Sequence, residues 1–170
     1  TQWLSTVHNN NSSNNGFLRL FSITGTQAAP VFNTGGIVNV GGAWAKSGPT
    51  GPQLGTNTGL ALNDDRILQS TFRGGTLWAG NNAFLPAVTP TTCVAQVVSI
   101  NPSNSTVLEN IRTFGDNNTM QAYPSITVNS NNDIFFGYST FRNTAYVTST
   151  ISYRRNNGQG FFFYYFKGGE

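Results

Sequence analysis

Few residues in this sequence can do acid–base, nucleophilic or metal chemistry: six acids, one histidine and one cysteine among 170 residues. Glycoside cleavage needs two carboxyl groups at a defined separation. The densest grouping is Asp64-Asp65-Arg66, at the start of a strand-like run. Such a group can bind a ligand, or it can form a turn in which a carboxylate pairs with the Arg and caps backbone N–H groups. Asp64, Asp65 and Arg66 are therefore candidate ligand-binding residues rather than catalytic ones. Trp44 joins them, because it stands in the loop "GGAWAKSGP" rather than in a strand, where a sugar can stack on an indole. No catalytic residue is assigned: Glu109 falls in an outer-strand position, Asp133 in a hairpin, and Glu170 at the last position.

The oxygen-rich stretch Asn129, Ser130, Asn131, Asn132, Asp133 offers a cation only one carboxylate, whereas Ca²⁺ favours several. A hairpin corner explains the same residues, since Asn tolerates positive φ. Cys93, in "TTCVAQVV", reads as a buried strand thiol with no base beside it. His8, beside "NNNSSNN", reads as an exposed loop residue. Neither a metal nor a cofactor is expected.

Composition narrows the partners. Charged residues make up 9% of the chain, and the formal charge of +3 comes from scattered Lys and Arg, of which only Arg154 and Arg155 are adjacent. Nucleic-acid binding calls for a clustered basic stripe, so it is not expected. No run approaches the ~18 apolar residues of a membrane span. Asn10, Asn11, Asn104 and Asn117 each head an N-x-Ser/Thr pattern, which chance supplies readily in so Asn-rich a chain.

The elements that must position these residues read as strands. Gly, Pro and Asn interrupt nearly every window before helical periodicity accumulates, while β-branched and aromatic runs recur. The expectation is all-β, with strands at 2–7, 17–23, 36–40, 66–72, 76–80, 93–100, 106–113, 125–129, 133–139, 145–153 and 160–166. The same succession of hairpins returns. "RILQSTF", "TLWAG", "CVAQVVSI" and "TVLENIRTF" make four antiparallel strands, and "SITVN", "DIFFGYS", "AYVTSTISY" and "GFFFYYF" make four more. "QWLSTV", "FLRLFSI" and "APVFN" align with the last three of such a set.

Four-stranded units in tandem suggest blades of a partial β-propeller, about two and two-thirds of them. The expected layout is an incomplete blade at 1–40, a long Gly/Pro loop at 41–63, and blades at 64–114 and 115–170. Blades bury their faces against neighbours and close into a ring at four or more. Too few are present to close one, so other blades or other chains must complete the fold. A β-sandwich or jelly roll is the alternative.

The series "NDDRILQSTFRGGTLWAG", "VAQVVSINPSNSTVLEN", "AYPSITVNSNNDIFFGYSTF", then "ISYRR" and a terminal "FKGGE", resembles a group of large secreted bacterial proteins with sialidase-like, Asp-box-related β-propellers. The match covers Asp64 or Asp65 with Arg66, Leu77-Trp78, Tyr123 to Asn129, Asp133, Gly137 and an Arg at 154 or 155. The resemblance implies a propeller fold and an extracellular or cell-surface setting. It also implies a fragment, because family sequences continue past a segment like Lys167 to Glu170. Intact Asp boxes are missing, and "NSNNDIFFG" only approximates their position.

The function expected is a non-enzymatic structural or adhesive module that contacts glycans or other protein chains. A segment of a sialidase-type glycoside hydrolase is the first alternative, and a self-assembling shell or filament protein the second.

Overall fold

The computed structural model describes residues 1–116, 118–156 and 162–168. Eleven strands run through these residues, with no helix among them: β1 (Gln2–Ser12), β2 (Asn15–Thr26), β3 (Ala29–Asn39), β4 (Ile67–Arg73), β5 (Thr76–Leu85), β6 (Thr92–Asn101), β7 (Thr106–Arg112), β8 (Thr119–Val128), β9 (Ile134–Arg142), β10 (Ala145–Arg154) and β11 (Phe162–Lys167). The protein is all-β and its sheets are antiparallel. They are a three-stranded sheet β1-β2-β3, a four-stranded sheet β4-β5-β6-β7 and a four-stranded sheet β8-β9-β10-β11, each joining sequence neighbours.

The sheets stack in series, with β4–β7 in the middle. Strands β5 and β6 bury nearly every residue on both faces, as expected when a sheet lies on each side. Register sorts the side chains. Leu77 pairs with Ile100, Ala79 with Val98 and Ala83 with Val94, and these join Leu18, Leu20 and Val38 of the first sheet in one core. The alternate residues Trp78, Ala95 and Val97 face the third sheet and pack with Ile126, Ile134, Phe136 and Tyr138. A third cluster, Phe84, Cys93, Met120, Phe141 and Leu62, seals one end. Each large apolar side chain so buried contributes roughly 1.5–3 kcal/mol.

Polar contacts fix the alignment of the layers. The Ser5 and Ser70 hydroxyls lie 3.0 Å apart, tying β1 to β4. On the other face, the Gln69 amide mimics a strand: its Nε2 donates to the Ile126 carbonyl at 2.8 Å and its Oε1 accepts from the Ile126 N–H at 2.7 Å. Arg154 of β10 donates to both carboxylate oxygens of Glu109 on β7, through Nη1 and Nη2.

Several boundaries differ from the sequence expectation. Strand β1 continues to Ser12, so His8 is an exposed strand residue rather than a loop residue; pairing with β2 carries the Asn run into the ladder despite its low strand propensity. Strand β8 begins at Thr119, not 125. Its ladder slips between Ala122 and Ser125, where Tyr123 takes φ +61°, and this bulge hides the strand's first half in the sequence. The 129–133 stretch is the β8–β9 corner. Asn129 Oδ1 accepts from the Asn131 and Asp133 N–H groups, each at 2.9 Å, its Nδ2 donates to Asp133 Oδ2 at 2.8 Å, and Asn132 has φ +61°. Asn117 and Glu170, named above, lie outside the described residues.

Candidate functional site

The segment between β3 and β4 carries all four candidate residues, with Arg66 directly before β4. Its course is set by Trp44. The Trp44 N–H donates to the Asn10 carbonyl at 3.0 Å, and Asn10 Nδ2 donates back to the Trp44 carbonyl at 2.7 Å. The indole lies over Gly16, where a Cβ would stand 1.8 Å from the ring, so only glycine leaves space for it. On the other side, the Arg112 guanidinium sits 5.9 Å from the ring centroid and donates from Nη2 to the Gly42 carbonyl and from Nε to Gln96 Oε1, each at 2.6 Å.

Trp44 is accordingly 0% exposed. This corrects the expectation of an exposed loop aromatic: the ring is a plug in the core between the first two sheets, with no face left on which a sugar can stack. Its N–H, which burial would otherwise strand, donates to Asp65 Oδ2 at 3.0 Å.

Asp64 and Asp65 thus do different work. Asp65 is buried, and desolvation pushes its carboxyl above the usual value, with the Trp44 hydrogen bond opposing that rise. Asp64 turns to Arg66, whose Nε donates to Oδ1 at 2.8 Å and Oδ2 at 2.9 Å, while the Arg66 N–H reaches Oδ1 at 3.1 Å. Those hydrogen bonds lower the Asp64 pKa. The Arg66 side chain is 74% exposed. The four candidate residues therefore form two pairs, Trp44 with Asp65 inside and Asp64 with Arg66 at the surface.

A second anchor of this segment had no sequence signal. Asn82, fully buried on β5, donates from Nδ2 to the Leu62 carbonyl at 2.7 Å, and its Oδ1 accepts the Tyr123 N–H at 2.8 Å. The Tyr123 hydroxyl then donates to the Ala61 carbonyl at 2.6 Å. One amide thus joins the segment to the bulge of β8. The other described carboxylates are also engaged: Asp116 Oδ1 accepts the Asn118 and Thr119 N–H groups, Asp133 that of Asn156, and Glu109 pairs with Arg154. No group of three or more His, Cys, Asp or Glu able to hold a metal ion occurs among the described residues.

What the sequence did not reveal is a cleft of about 300 Å³ where the end of β7 meets the third sheet. Phe114, Gln121, Tyr138, Arg142, Thr150 and Tyr165 line it. Phe114 is 72% exposed and Tyr165 60%. Arg142 lies 4.6 Å from the Tyr165 ring centroid and donates to its hydroxyl. Two hydroxyls of the lining are already paired, Tyr138 with Ser152 at 2.9 Å and Thr150 with Thr140 at 2.7 Å. Burial raises the Tyr138 pKa, which keeps this phenol protonated at neutral pH. Gln121 differs: it is 7% exposed and its Oε1 has no hydrogen-bond partner among the described residues. These residues were unremarkable in sequence because they come from β7's end and four strands of one sheet, and only the pairing order gathers them.

Compared with protein-family models, with curated protein sequences and with solved structures, the chain matches none. No helix among the described residues is long and apolar enough to cross a membrane.

Proposed function

We propose that this chain is a non-enzymatic structural and adhesive module of an extracellular protein, in which the three sheets are successive blades of propeller type and further sheets of the same construction cover the two ends. The observation that carries this reading is the contrast between the middle sheet and the outer two. Strands β5 and β6 are buried on both faces, whereas each outer sheet has one covered face and one bare one.

The bare faces are apolar. On the first sheet Phe21 stacks on Phe32 at 5.3 Å between centroids, with Ile37 exposed on the same face. On the third, Phe135, Tyr153 and Phe162 stack across three strands at 5.3 and 5.0 Å. Apolar patches of this kind mark contact surfaces. Continuing the series of stacked sheets covers both with packing that the molecule already uses twice. A layered β-sandwich is the other arrangement supported by the same stacking.

In this reading Trp44, Asp65, Asp64 and Arg66 hold the connection between the first two sheets, and adhesion belongs to the surface clefts. For the chain on its own, a second copy supplies the missing sheets. Light scattering coupled to size exclusion tests this: concentration-dependent association is expected, and Phe32→Glu or Phe135→Glu should return the monomer. A wild-type chain that stays monomeric at high micromolar concentration would sink the proposal.

A further inference from the structure

We infer that the cleft between the end of β7 and the third sheet is a carbohydrate subsite that takes one neutral pyranose ring. This gives the adhesive reading above its ligand class and rests on it.

Three features of the cleft point to this chemistry. A pyranose presents a C–H face and a rim of hydroxyls, and the cleft is lined by two exposed aromatic residues, Phe114 and Tyr165, together with the polar side chains of Gln121 and Thr150. Its volume of about 300 Å³ is at the small end of ligand sites, which suits one ring rather than an extended chain. The Gln121 amide lines the cleft, is more than nine-tenths buried, and leaves its oxygen without a partner. A buried amide oxygen in that state requires a donor, and a ligand hydroxyl is one.

Arg142 sets the charge preference. Its guanidinium lies over Tyr165 and bonds the phenol, and it has no carboxylate partner among the described residues. Held this way, it offers its remaining N–H groups to sugar oxygens. Among the described residues it is the one cation lining the cleft, so they form no cluster of positive charge of the kind that selects phosphate or polyanions.

The probes are cellohexaose, laminarihexaose and chitohexaose as neutral ligands and a galacturonic acid hexamer as the acidic one, titrated into the intact chain by calorimetry and by ligand-observed NMR. A ring of about a dozen heavy atoms at ordinary ligand efficiency binds with a Kd of about 1 mM. The expected result is binding of at least one neutral probe, weakened fivefold or more by Tyr165→Ala and by Phe114→Ser. Both positions are at the surface, and an unchanged circular dichroism spectrum separates lost binding from lost fold. Binding of the acidic probe alone, binding unaffected by both substitutions, or no binding of any probe each overturns the inference. Association of the chain is read separately, so a chain that assembles but binds no sugar leaves the structural reading standing, and one that binds sugar but never assembles does the reverse.

Discussion

The indole N–H of Trp44 donates to Asp65 Oδ2 at 3.0 Å within the core, so one carboxylate of an adjacent Asp pair holds a loop while the other meets solvent with Arg66. The consequence for pH dependence follows from the direction of each shift. Asp65 is raised by burial. As pH climbs from the unfolded value near 3.8 through the higher folded value, the unfolded chain gives up its proton first and stability falls; above that window the loss is constant. Asp65→Asn keeps an acceptor for the indole without a charge. It should be at least as stable as the wild type at pH 7, with the difference shrinking toward pH 4. Asp65→Ala strands the N–H and should cost about 1–3 kcal/mol. Urea unfolding at several pH values measures both, and Asp65→Asn less stable than wild type at pH 7 would contradict the argument.

Glu109 and Arg154 join the middle and third sheets, and Arg154 is only 12% exposed. Removing one partner leaves a largely buried charge unpaired. Arg154→Met or Glu109→Gln should each destabilise the protein, Glu109→Gln by about 2–3 kcal/mol. The double substitution Glu109→Leu with Arg154→Met should recover much of that loss, because two apolar side chains fill the gap without a stranded charge. A double-mutant cycle showing no coupling would disprove the inter-sheet role.

Cys93 is buried beside Phe84, and desolvation pushes its thiol up to about 12. Since the thiolate is the reactive form, the native protein should leave this thiol unmodified by Ellman's reagent at pH 8, with full modification once urea unfolds the chain. Rapid native labelling would mean that the cluster at this end opens easily.

Much of the architecture could be read from the sequence, because most strands contain a short β-branched or aromatic run. All eleven expected runs overlap observed strands. The failures have local causes. The Asn-rich end of β1 is a strand only through pairing with β2, and the first half of β8 is disguised by Pro124 and the positive φ of Tyr123. The site was less legible. Trp44 reads as a loop aromatic because its fate depends on Gly16, a residue of another strand that lacks the Cβ which would block the ring. Asn82 resembles any strand Asn until the Leu62 carbonyl and Tyr123 N–H are placed around it.

The pairing of every strand with its sequence neighbour has a consequence for synthesis. Each sheet is built from strands close together along the chain, so it can assemble as its last strand emerges from the ribosome. The middle sheet then exists before the third, with Trp78, Val97 and Ile111 awaiting Ile126 and Phe136. For that interval its most apolar strands have one face in water, and it is then, rather than in the finished molecule, that the nascent chain is most exposed to aggregation.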